Sequence, residues 1–234
     1  MSKILKKEFS QFFKSPVGYI YLAIFIAITG YYFTVNNLLA QTNDIKEYFN
    51  TMIFTLMFLI PILTMRLLSE ERKLKTDQLI YTMPIKVKDI VLGKFFSAYF
   101  VFAIGIGATM LFIPVIAMFG NVDIVTVIGC YLGIMLAGAA FVALGLLLSS
   151  VTENQVVAAI ITYAVLFALY LVSLLANYVT NPFWLGVLNW VAVFTRYQNF
   201  TIGIFDPSAV IYYISLTVLF IFLTVTISSA RRRR

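Results

Sequence analysis

Six stretches of this chain contain no Asp, Glu, Lys or Arg: Ser15 to Asn43, Tyr48 to Met65, Phe95 to Val122, Ile124 to Thr152, Asn154 to Thr195 and Pro207 to Ala230. An uncharged apolar run of about 20 residues is what an α-helix needs to cross a bilayer. A charge near the bilayer centre costs roughly 2.5 to 3.5 kcal/mol even on insertion scales, so charge-free runs mark spans. At 62% apolar and 12% charged residues the chain is too apolar for a soluble domain of its size. The expected fold class is an all-α polytopic membrane protein with six transmembrane helices in a single transmembrane domain, 1–234.

The fifth run is about twice the length one crossing needs. Asn177, Asn181 and Pro182 break it, which places the span at about Val156 to Asn177. The remainder, Phe183 to Phe194, is too short to cross and reads as a re-entrant or interfacial element within an external region, 178–206. Trp184, Trp190 and Tyr197 suit the headgroup level there.

Lys and Arg set the orientation. Lys3, Lys6, Lys7 and Lys14 precede the first span, Arg66 to Lys94 carries seven more, and Arg231 to Arg234 close the chain. With six spans these fall on one side, leaving only Lys46 and Arg196 on the other, so both termini are expected in the cytoplasm. The first apolar run exceeds the 7 to 15 residues of a signal-peptide core and is expected to remain as a span.

Ahead of that span, residues 1–15 place Ile4, Leu5, Phe9, Phe12 and Phe13 at helical spacing, with Lys6, Lys7 and Gln11 elsewhere. This predicts an amphipathic helix lying in the interface, stopped by Pro16. Within the fourth span, Gly129 and Gly133 have GxxxG spacing and Gly138, Ala139 and Gly145 follow, which fits close packing inside one subunit better than a dimer seam. Pro61 and Pro114 are expected to kink their spans.

Several function classes are excluded. The chain has no His and one Cys, Cys130, which removes imidazole chemistry, metal clusters and intrachain disulfides. The spans lack the carboxylates that a proton- or sodium-coupled transporter uses, and no channel-filter motif occurs. No GxxxxGK[ST] phosphate loop is present, since Phe95 follows Gly93-Lys94, so any energy from ATP must enter through another chain.

The charges concentrate in one island, 67–94, "LLSEERKLKTDQLIYTMPIKVKDIVLGK", with four acids and six bases. Its first part, "SEERKLKTDQLIYTM", predicts a helix with Leu74, Leu79, Ile80 and Met83 as apolar knobs, ended by Pro84. A second helical segment, "KVKDIVLGK", leads into the third span. On chemistry alone, a docking element for a soluble partner and a solvated connector are equally good readings.

The residues Glu71-Arg72, Thr76, Leu79, Pro84-Ile85, Ile90-Val91 and Gly93-Lys94 resemble the signature of ABC-2 type permeases of ATP-binding-cassette transporters, E-x-x-x-G-T-x-E-L-L-x-x-x-P-I followed by I-V-x-G-K. "ALGLLLSSVTENQVVAA", Ala143 to Ala159, is similar to their junction between the fourth and fifth spans. The ending from Phe200 through "VIYYISLTVLFIFLTV" looks like the GldF-like, gliding-motility branch. The resemblance implies a non-enzymatic export subunit of a bacterial inner membrane that pairs with a second permease subunit, as a homodimer or heterodimer. It also implies separate ABC ATPase subunits that bind ATP and Mg, with no cofactor in this chain and no nucleic-acid partner. The family's coupling helix falls on Glu70, Glu71, Arg72, Leu74, Thr76, Asp77, Gln78 and Leu79, and the loop Ser149 to Gln155 is a second candidate contact. Lys75 stands where the family usually has Gly, and Gln78 where it usually has Glu. Uncharged spans rich in Phe and Leu favour an amphipathic, lipid-like or apolar peptide substrate. Two other readings are a subunit that transmits force or assembles a complex without transport, and an ATP-independent channel or anchor.

Overall fold

The computed structural model describes residues 2–76, 86–120, 123–176, 178–179 and 181–232, and all regular structure among them is helical. Six helical stretches are long and apolar enough to cross a membrane: Pro16–Leu39, Lys46–Lys73, Val87–Ile116, Ile124–Ser149, Gln155–Leu175 and Pro207–Arg232.

Helix α1, Ser2–Lys14, is amphipathic and ends where Ser15 adopts extended geometry and Pro16 opens α2, Pro16–Phe33. Proline suits that first helical position because its missing N–H has no intrahelical acceptor there. The α2 helix widens into a π-helical turn, Thr34–Leu39, where the side chain of buried Asn37 donates to the carbonyls of Thr42 and Asp44 and closes the loop.

The core is built on α3, Lys46–Thr64, and α7, Ile124–Ser149. Two-thirds of each apolar window is buried inside the protein, against only about a tenth for the final helix, α11, Pro207–Arg232. Between them come α4, Ser69–Lys73, and α5, Val87–Thr109. The α5 helix tightens to a 3₁₀ turn, Met110–Phe112, before α6, Ile113–Ile116, so the third span changes helical geometry just ahead of Pro114. Pro61 lies inside α3. Helix α8, Gln155–Leu175, follows a short turn after α7.

Glycines let the helices approach. A methyl at Gly138 would stand 2.2 Å from the ring of Phe102 on α5, and one at Gly145 would stand 2.1 Å from Thr64 Oγ1 on α3. Gly129 and Gly133 face Phe200, so the fourth span's small residues serve packing within one chain.

The long segment after α8 forms two short helices, α9, Pro182–Val191, and α10, Val193–Thr201, that bend at Ala192. The second inserts into the bundle: Phe194 meets the rings of Phe141 and Tyr170, and the hydroxyl of Tyr213 donates to the carbonyl of Val193. Trp184 and Trp190 are exposed. Tyr197 is not: it is 1% exposed, because it sits on the face of α10 that packs inward.

Asp123 and Asp206 cap α7 and α11, each accepting from a backbone amide two residues on. Hydrogen bonds from the Thr126 and Ser208 side chains, with these backbone bonds, hold both carboxyls below the usual aspartate range.

Candidate functional site

One end of the bundle gathers α1, the α3–α4 corner, the first turns of α5 and the turn between α7 and α8. Its centre is Lys94, 2% exposed, whose Nζ donates to Glu8 Oε2 at 3.1 Å and to Glu71 Oε1 at 2.7 Å. Three elements are thereby tied at one ammonium. A lysine buried this deeply is tolerated because two carboxylates compensate its desolvation.

The sequence folds this way for local reasons. Gly93, one residue earlier, lets α1 lie directly on α5: a methyl there would stand 2.8 Å from Ile4 Cγ2 and 3.5 Å from the Leu5 amide. So the Gly93-Lys94 pair supplies both the clearance and the charge that seat α1. At the other end of α1, the guanidinium of Arg66 lies over the Phe12 ring at 5.2 Å and reaches the Gln11 carbonyl at 3.5 Å.

Ser149, fully buried at the end of α7, organises the α3–α4 corner. Its hydroxyl accepts from the amides of Leu68 and Ser69, both at 3.1 Å, and donates to the Met65 carbonyl at 3.0 Å. Two amides at the start of α4 thus find an acceptor on another helix. Ser69 Oγ also hydrogen-bonds the Met65 carbonyl. Gly145, one turn before Ser149, gives the clearance against Thr64 that brings α7 this close. The turn itself is held from the last helix, where Arg231 donates to the Val151 carbonyl at 3.3 Å.

Helix α4 is shorter than its sequence suggests. The expected helix from Ser69 through Met83 stops at Lys73, because Lys75 takes a left-handed conformation, φ 56°. The Thr76 amide donates to the Glu71 carbonyl at 2.9 Å and the Lys75 amide to that of Arg72 at 3.0 Å. This pair of bonds is a Schellman stop, with Lys75 in the position glycine usually takes.

The eight candidate coupling residues therefore separate. Leu74 is 64% exposed and Glu70 and Thr76 are half-buried. Arg72 is buried, and Glu71 points inward to Lys94. Asp77, Gln78 and Leu79, with Ile80, Met83 and Pro84, lie outside the described residues. A cleft of about 370 Å³ opens between α1 and α4, lined by Lys7, Gln11, Phe12, Glu70 and Leu74 among others.

Sequence reading missed Glu8. It looks like one more polar residue in a lysine-rich segment, yet it stands four residues after Ile4 and four before Phe12, in the middle of the apolar stripe. A lone acid inside such a stripe is the signal for a buried partner.

An amphipathic helix, a short polar helix and six apolar helices long enough to cross a membrane define a polytopic membrane protein. A family model for ABC-2 family transporter proteins matches residues 2–230, and the chain belongs to that family. It is a non-catalytic membrane subunit, of the kind that pairs with ABC ATPases. No curated protein matched the sequence.

Proposed function

We propose that this chain is the membrane subunit of an ATP-driven exporter in which α4 and the residues after it receive the movement of an ABC ATPase. The observation that carries this reading is the Lys94 junction. It ties α4 to the third span through Glu71 and to α1 through Glu8, so a push on α4 reaches two further elements without slack. Leu74 and Glu70, with Asp77, Gln78 and Leu79, are the contacts offered to the ATPase, while Glu71 and Arg72 act from inside as struts. The α7–α8 turn follows through Ser149.

Two permease subunits would rock about a shared seam as the ATPases close and open. A partly exposed aromatic strip supports a lipid-like or apolar peptide cargo: Phe54 and Phe58 on α3 meet Tyr170 and Tyr163 on α8, and Tyr163 stacks on Phe167. On this reading α9–α10 is the external re-entrant element, both termini are cytoplasmic, and the ending fits the GldF-like branch.

The test is co-expression with candidate ABC ATPases taken from the same genome. Leu74→Ala should weaken co-purification by on the order of 1 to 3 kcal/mol if Leu74 fills an ATPase groove. Undiminished recovery and unchanged ATP turnover would remove α4 as the docking element.

A further inference from the structure

A second cavity lies on the flank of the bundle, away from the Lys94 junction. Phe141 and Leu144 of α7, Leu169 of α8 and Leu216, Leu219 and Phe220 of α11 wall a groove of about 250 Å³. Tyr212 closes one end and Trp190, at the tip of α9, forms a lip. The groove opens outward: Trp190 is 74% exposed and Leu219 is 50% exposed. From Tyr212 to Phe220 it follows α11 for about 12 Å at 1.5 Å per residue.

A cation stands at the Tyr212 end. The guanidinium of Arg196, on α10, lies 4.1 Å from the centre of the Tyr212 ring. Its Nε is buried and has no hydrogen-bond partner among the described residues, and no described carboxylate forms an ion pair with it. The ring face offsets part of the cost of a cation among apolar helices, but it supplies no counter-charge. Arg196 does not itself line the groove but sits against the Tyr212 ring that does. An apolar groove with a guanidinium one ring away, without an ion pair among the described residues, has the chemistry of an anionic amphiphile in negative: a chain along α11 and an acidic head reaching past Tyr212 to Arg196.

We infer that the α7–α8–α11 groove and Arg196 form a binding site for an anionic phospholipid, with one acyl chain in the groove and the phosphate on the guanidinium. Lipid enters sideways from the bilayer past Trp190. The site is independent of whether the chain exports anything, and of the ATPase contact at the other end.

Trp190 supplies the readout, since it and Trp184 are the chain's two tryptophans. The full chain carrying Trp184→Phe is placed in nanodiscs of phosphatidylcholine doped with brominated-chain phosphatidylglycerol, or with brominated phosphatidylcholine at the same mole fraction. Bromine quenches Trp190 on contact. One favourable head-group charge contact of about 1 kcal/mol corresponds to about a fivefold preference for the anionic lipid. Arg196→Gln should abolish that preference, Arg196→Lys should retain most of it, and Ser215→Phe, which fills the groove, should abolish it with Arg196 intact. An unshifted Trp190 emission maximum in undoped discs shows that each variant is folded. Equal quenching by the two lipids, or a preference that survives Arg196→Gln, overturns the site. A preference that survives Ser215→Phe overturns the groove and leaves only surface attraction.

Discussion

The ammonium of Lys94 and the carboxylate of Glu8 meet at 3.1 Å across a sequence separation of 86 residues, both nearly sealed from solvent. Taking one member from a buried ionic group leaves the other charges uncompensated, at a cost of about 3 to 5 kcal/mol. Lys94→Met should therefore lower stability by that order and release α1 to protease, while the triple variant with Glu8→Gln and Glu71→Gln should recover much of the loss. The measurement is thermal unfolding in detergent beside limited proteolysis of the N-terminus. A single variant as stable as the parent would mean that the junction does not hold α1.

The same helix can be loosened sterically without touching a charge. Gly93→Ala places a methyl 2.8 Å from Ile4 Cγ2, and crowding of this kind typically costs about 1 to 3 kcal/mol. Adding Ile4→Ala removes the conflicting atom and should restore protection of α1. Equal protease sensitivity of the single and double variants would show that α1 does not lie on α5 at this point.

The spans were legible because lipid allows few solutions: an uncharged run of sufficient length has to be a helix. The glycine seams of the fourth span followed from residue chemistry too. What the sequence hid were pairings between distant elements. Nothing local distinguishes Ser149 from a surface polar residue, and the place of Glu8 in an apolar stripe signals burial without naming its partner, since the groups that satisfy both are contributed by elements far along the chain. Glu71 sits in the segment where the resemblance implies a partner contact, yet it faces Lys94. Only the packed position of Lys94 turns it in. The early stop of α4 was hidden by residues of good helix propensity, which the left-handed turn at Lys75 overrides.

That turn is itself open to test. A non-glycine residue in left-handed geometry costs about 1 kcal/mol relative to glycine, which adopts it freely. Lys75→Gly should raise stability by about that amount if the Schellman stop persists as described. A fall in melting temperature, as expected for glycine inside a continuing helix, would mean that α4 runs on through Lys75.

The last prediction concerns Ser149, whose single hydroxyl serves three backbone groups at the α3–α4 corner. In Ser149→Ala the amides of Leu68 and Ser69 lose their acceptor in a place water does not reach easily. A buried donor left unsatisfied costs about 1 to 3 kcal/mol, so the loss should be felt at α4 before the rest of the bundle. Amide hydrogen exchange should therefore accelerate in residues 67–74 while the middle of α3 and α7 stays protected. Ser149→Thr keeps the hydroxyl and adds one methyl, so the hydrogen-bond account requires slower exchange at the corner than in the alanine variant. If alanine leaves exchange at Leu68 and Ser69 unchanged, the corner is held by α3 alone and α7 is not part of the junction.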